Sequence, residues 1–261
     1  MMNKRKLLLN SLFLVIVLSV TVYYVFRGQD ISRLFEAIEN ADARYWLLAI
    51  ICVIFFIGSE SIIIYYMMYS VKQRVKLMHC FLYSFVGFFV SCITPSASGG
   101  QPAQIYFMKK DKIPIPIATL ILMIVTIAYK FVLVIIGALV LLIRPAEIMS
   151  FLEPVVGICI LGLMLNVVCV AFMMLLVFHP TMVGKQLVSV VELFVRLRLI
   201  RRKERYLHKI EDAIKQYQDI AYYFRTHRIV IWNVLIITII QRLLLFFVTY
   251  LVYRSFGLYG T

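Results

Sequence analysis

Thr94-Pro95-Ser96-Ala97-Ser98-Gly99-Gly100-Gln101-Pro102 is a polar interruption set between the apolar run Phe81 to Ile93 and the segment Ile105-Tyr106-Phe107-Met108. Two prolines and two adjacent glycines end any helix that enters it, because proline lacks the N–H and clashes backwards while glycine adds backbone freedom. At membrane depth a broken backbone persists only where protein or water satisfies its N–H and C=O groups, so this break is expected to line a cavity. Ser96, Ser98, Gly99, Gly100 and Gln101 are therefore candidate substrate-binding residues. The alternative reading of the same residues is a membrane helix kinked at Pro95 and Pro102 with no ligand.

Lys72, Arg74 and Lys76 precede this segment, and Lys109, Lys110 and Lys112 follow it. Positive residues gather on the cytoplasmic side, so both ends of 77–108 belong there and the segment must enter and return as a re-entrant hairpin. Its returning arm carries Pro102 in the first turn and ends in two lysines, which suits the dipole of a short helix whose N-terminus points into the bilayer. Free N–H groups at that end attract an anion.

Composition sets the class within which these features are read. Of the 261 residues 63% are hydrophobic and 15% charged, and the mean hydropathy is +0.93, values of an integral membrane protein. The net charge of +14 sits beside apolar spans, where topology and anionic headgroups account for it better than a nucleic-acid partner does. All five cysteines, Cys52, Cys80, Cys92, Cys159 and Cys169, lie in or beside apolar stretches without metal-ligand spacing, so neither a disulfide nor a metal site is expected.

In chain order, Lys4-Arg5-Lys6 precede the apolar run 7–26, about one bilayer thickness at roughly 1.5 Å per residue. It reads as a retained helix with a cytoplasmic N-terminus; a signal peptide is the alternative. Residues 28–44 carry Ile31, Leu34, Phe35 and Ile38 at helical spacing, a short amphipathic helix at the outer surface. Further spans are expected at 46–69, 115–143, 155–178 and 229–253. Between them, residues 181–228 hold eleven cations and place Leu207, Ile210, Ile214, Tyr217, Ile220 and Phe224 at helical spacing, a cytoplasmic surface-lying helical hairpin. The expected architecture is all-α: a polytopic integral membrane protein of about five spanning helices plus one re-entrant helical hairpin, forming a single membrane domain over 1–261 in the cell membrane.

On this topology twenty of the 27 cations lie inside and five outside, and the remaining two, Lys130 and Arg242, fall within spans together with the acid Glu60. A charge at the centre of a membrane helix costs roughly 2.5–3.5 kcal/mol on insertion scales. Such a charge calls for a partner or a function. Lys130 shares a helix face with Thr119, Met123, Thr126 and Gly137, and Thr238 and Gln241 lie beside Arg242. An ion pair of Glu60 with one cation is the structural reading; it leaves one basic residue over, which a phosphate would balance. Glu60, Lys130 and Arg242 join the candidate substrate-binding residues.

The order of spans, the motif TPSASGGQPAQIYFMKK and the long basic stretch before a helix carrying arginine resemble the flippase-like membrane family that includes the membrane part of phosphatidylglycerol lysyltransferase, also called multiple peptide resistance factor. The resemblance covers essentially the whole chain, most specifically Pro95 to Ala103. It implies an inverted repeat with a second proline and glycine motif, which this sequence lacks, so that the chain reads as C-terminally short or as completed by a partner. It also implies translocation of an anionic or aminoacylated phospholipid, with that lipid and anionic membrane lipids as partners.

Full-length lysyltransferases carry a soluble domain that transfers lysine from charged tRNA. Nothing here corresponds to it. No paired acid and base and no nucleophile with a nearby histidine forms a catalytic constellation, and no cofactor is implied. Lipid translocation is the leading reading. The alternatives are participation in lysyl transfer to phosphatidylglycerol, the chemistry of antimicrobial peptide resistance, together with a separate catalytic chain, and a non-transporting membrane scaffold.

Overall fold

The computed structural model describes residues 38–94, 97–143, 153–178 and 203–257 together with residues 19, 23 and 36, the side chains of 203–210 excepted. The expected first span, most of the outer amphipathic helix, the basic stretch up to residue 202, and Pro95 and Ser96 lie outside the described residues.

Within them the protein is all-helical. Seven α-helices follow in order: α1 Ala43–Ser70, α2 Leu77–Ile93, α3 Gly100–Lys110, α4 Ile115–Ile143, α5 Val156–Phe178, α6 Lys203–Thr226 and α7 Arg228–Ser255, with a 3₁₀ turn Glu153–Val155 leading into α5. α1, α4, α5 and α7 are long and apolar enough to cross a membrane, which makes this a polytopic membrane protein.

The helix ends follow local chemistry. Asp42 Oδ1 accepts the N–H of Arg44 at 2.9 Å, an N-cap for α1. At its other end Lys72 adopts φ 58°; its N–H reaches the Tyr69 carbonyl at 3.0 Å, and the Gln73 N–H reaches Met68 at 2.9 Å. α3 ends in the same way: Lys112 sits at φ 65°, and Lys112 and Ile113 donate to Lys109 and Met108, each at 3.0 Å. Both are Schellman closures with a lysine where glycine is usual. Pro114 and Pro116 flank the start of α4, where a missing N–H removes no helical bond.

The chain divides into two compact units, residues 1–54 with 245–261, and residues 55–244. In the first, Asp42 donates its N–H to the Ser255 carbonyl at 2.9 Å and Trp46 meets Phe256 edge to face. The second holds the larger core. Ile63, Ile64, Met67 and Met68 of α1 pack there with Cys80 and Tyr83 of α2, Met108 of α3 and the row Leu120, Ile121, Ile124 and Val125 of α4. Tyr217, Ala221 and Phe224 of α6 and Val230 and Val234 of α7 complete it.

α6 is one continuous helix over its described length, where the sequence suggests a surface hairpin; whatever turn closes such a hairpin lies outside the described residues. Of its apolar row, Tyr217 and Phe224 are buried in the core and Ile220 packs against it, and the Tyr217 hydroxyl donates to the Leu176 carbonyl of α5 at 3.3 Å. α7 is tied to α1 by uncharged donors: Asn233 Nδ2 to the Tyr66 hydroxyl at 2.9 Å and Gln241 Nε2 to the Phe56 carbonyl at 3.1 Å.

Candidate functional site

The break between α2 and α3 is built by sterics and then locked by hydrogen bonds. Thr94, which precedes Pro95, is extended at φ −110°, ψ 141°, as a residue before proline must be. Its hydroxyl donates to the Val90 carbonyl at 2.7 Å and accepts the Gly99 N–H at 3.1 Å, so one side chain closes α2 and opens α3. The left-handed position of the turn is Ala97, at φ 54°. Gly99, at φ −82°, is right-handed.

The glycines serve close approach. A Cβ on Gly100 would lie 2.1 Å from Ser91 Oγ and 2.7 Å from the Gly87 carbonyl oxygen, and one on Gly87 would lie 2.4 Å from Gln104 Nε2. The two arms of the hairpin thus touch through their backbones at Gly87 and Gly100. At the open end, Tyr83 donates its hydroxyl to Asp111 Oδ2 at 2.5 Å, and His79 Nδ1 lies 2.8 Å from the same oxygen. The start of α2 and the end of α3 are therefore side by side.

α3 is held on both flanks by its glutamines, three residues apart. Gln104, buried, donates to Glu60 Oε1 of α1 at 3.0 Å, and Gln101 Nε2 hydrogen-bonds Thr126 Oγ1 of α4. Against this helix N-terminus lies a cavity of about 570 Å³ lined by Glu60, Ser98, Gly100, Gln101, Lys130 and Arg242. These are six of the eight residues singled out from the sequence. Gly99 stands behind the wall as the N-cap of α3, and Ser96 lies outside the described residues.

The charges are arranged differently from the ion pair that the structural reading of these residues supposes. Among the described residues no ion pair joins Glu60 to Arg242 or Lys130 within 4.0 Å; the carboxylate takes the Gln104 amide instead, which lies directly across the narrow gap between α3 and α1. The Arg242 guanidinium carbon stands 4.7 Å from the Tyr129 ring centroid and 5.3 Å from that of Phe56, a contact with two aromatic faces. Its Nε is buried without a hydrogen-bond partner. Lys130 Nζ donates to Asn166 Oδ1 of α5 at 3.2 Å, a neutral acceptor. Glu60, Lys130 and Arg242 are the charged groups of the lining, which gives the cavity a formal charge of +1.

Several lining or supporting residues escaped sequence reasoning. Gly87 and Gln104 carried a signal: a glycine inside the apolar run of α2 and a polar residue one turn after Gly100. Asn166, the one amide in the apolar α5, carried another. The aromatic faces of Phe56 and Tyr129 are indistinguishable by sequence from lipid-facing rings. Chemically the cavity can bind and desolvate an anion through a guanidinium, an ammonium, side-chain amides, hydroxyls and a helix N-terminus.

Compared with known families, residues 10–260 match the family described as the lysylphosphatidylglycerol synthase TM region. No curated protein and no solved structure matches the chain.

Proposed function

The chain belongs to the lysylphosphatidylglycerol synthase transmembrane-region family, and on that premise we propose that it translocates an anionic or aminoacylated phospholipid across the membrane through the cavity at the hairpin break. The observation that carries this reading is the pair of cations, Arg242 and Lys130, lining one cavity with no carboxylate of the described residues within 4.0 Å of either. A phosphodiester resists transfer into hydrocarbon because it loses its water, so a route across must replace that water with fixed positive groups. Arg242 has an unpaired Nε to offer, its ring contacts hold the fork in place, and the first turn of α3 adds the positive end of a helix dipole. Lys130, held by Asn166, adds a point charge.

One bound phosphodiester brings the formal charge of the cavity from +1 to zero. Glu60, kept by Gln104 from closing on Arg242, leaves the guanidinium available. An aminoacylated headgroup brings an ammonium as well, for which Glu60 is the carboxylate of the lining. In the orientation we propose, the N-terminus is cytoplasmic and α2 and α3 form a re-entrant hairpin with both ends on the cytoplasmic side, which the cation distribution and the Tyr83, His79 and Asp111 contacts support.

The test is a headgroup-accessibility assay: protein reconstituted in vesicles with a fluorescent phosphatidylglycerol whose outer-leaflet label is bleached by an impermeant reductant. Arg242→Lys slows label exchange between leaflets and Arg242→Ala stops it. Unchanged exchange in stably inserted Arg242→Ala overturns the proposal.

A further inference from the structure

α4 lines a second cavity with its other side. Leu122, Val125, Thr126 and Tyr129 face the polar cavity; Ile124, Ile127, Ala128 and Phe131 line one of about 540 Å³ enclosed with α5, α6 and α7. The two share no lining residue. The second has the size of an ordinary ligand site, roughly 300–1,000 Å³, and its walls are apolar except for Arg225 and Arg228 at one end.

Arg225 lies in the last turn of α6, where a cation is favoured; Arg228 is unusually placed. Arg228 is the first residue of α7, whose first turn holds no acid, so its charge sits at the positive end of a helix dipole where cations are disfavoured. None of the cavity's lining residues is acidic. Among the described residues Arg225 makes a 3.4 Å contact to the Phe178 carbonyl and lies 5.8 Å from that ring, and both arginines are exposed. Two positive charges with no acid among the groove's lining residues, opening onto an apolar trough, complement a molecule with an anionic head and a hydrocarbon tail.

The spacing along α7 fits the same amphiphile. Arg228, Ile231, Trp232 and Leu235 recur at three, four and seven residues and form one face, the charge at its start and apolar groups for about 10 Å beyond, at roughly 1.5 Å per residue. Trp232 is 60% exposed, the placement of an indole at a membrane interface.

We propose that this groove is a docking site for an anionic phospholipid, with the phosphate held by Arg225 and Arg228 and one acyl chain lying against Phe131, Trp232 and Leu235. The site is distinct from the translocation cavity and stands whether or not that cavity transports lipid. Basic pockets between membrane helices bind anionic headgroups by this chemistry.

The molecule supplies its own probe. Of its two tryptophans, Trp46 has a buried Nε1 without a partner, so Trp46→Phe is a mild change that leaves Trp232 as the single emitter. In phosphatidylcholine vesicles, phosphatidylglycerol brominated on its acyl chains quenches Trp232 with a preference of roughly thirtyfold over brominated phosphatidylcholine, the order expected for two basic residues at an anionic headgroup. Arg225→Gln/Arg228→Gln brings the preference to about one. Ala128→Phe, which fills the trough and keeps both charges, also lowers quenching by phosphatidylglycerol. Arg242→Ala leaves the preference intact, which separates this site from the transport reading. Equal quenching by the two lipids in the parent, a preference that survives loss of both arginines, or quenching indifferent to Ala128→Phe overturns the proposal.

Discussion

Gly100 is where the two arms of the hairpin come closest, and Gly100→Ala tests that contact with a single carbon. The new Cβ falls 2.1 Å from Ser91 Oγ and 2.7 Å from the Gly87 carbonyl oxygen. The hydroxyl can rotate away. The carbonyl cannot, because it belongs to the backbone of α2, so α3 must move outward by several tenths of an ångström. Overpacking of this kind costs about 1–3 kcal/mol. Gly162 is the control: a Cβ there meets nothing within 4 Å, and Ala in a helix interior is favoured over Gly by up to about 1 kcal/mol. The two alanine variants therefore differ by roughly 2–4 kcal/mol. Unfolding in mixed micelles with increasing denaturing detergent, followed by circular dichroism, measures the gap. Adding Ser91→Ala to Gly100→Ala recovers only the hydroxyl's share. The displaced arm also carries Gln101 away from Thr126, so label exchange falls in the same variant. Equal stabilities for Gly100→Ala and Gly162→Ala would show that the arms are not in backbone contact.

Lys72 and Lys112 occupy left-handed C′ positions at φ 58° and 65°, a conformation costing an L-residue roughly 1–2 kcal/mol. Lys72→Gly and Lys112→Gly should each raise stability by about 1 kcal/mol in the same titration, net of the freedom that glycine gains when unfolded; destabilisation by either would refute the strain argument. The Tyr83 hydroxyl, followed by His79 and Lys110, holds the Asp111 carboxyl below its ordinary range against an opposing effect of burial. A carboxyl lowered on folding stabilises fully above its unfolded pKa of about 3.9 and loses that contribution as pH falls through the folded value. Stability of the parent should therefore drop below about pH 4 more steeply than that of Asp111→Asn, and parallel profiles would remove Asp111 from the closure of the hairpin.

The fold was legible where one residue type decides a local outcome. Pro95 forces Thr94 to be extended, Pro102 and Gly99 bracket the opening of α3, and four long apolar runs became helices. The site was legible as a set of residues and not as a set of contacts. Glu60, Lys130 and Arg242 stand out as charges in oily helices, yet Glu60 meets Gln104, 44 residues away, and not either cation; no periodicity encodes which side chain arrives across a gap. The glycine pair signalled an unusual turn, but the positive φ fell on Ala97, because Gly99 was needed to clear Val90 and Thr94 and Gly100 to clear α2. The amphipathic row of α6 was visible in its spacing, whereas the burial of Tyr217 and Phe224 in the core depends on a surface made by other helices.

The two faces of α4 are geared to one another. Leu122, Val125 and Tyr129 on one side and Ile124, Ala128 and Phe131 on the other are carried by a single rigid cylinder, so a turn about its axis moves both rows together and in opposite senses. Any rotation of α4 produced by a ligand in one cavity would be felt in the other by the same free energy, since linkage between two sites is reciprocal; with α4 held fixed the two cavities are independent, as an unchanged lipid preference in Arg242→Ala would register.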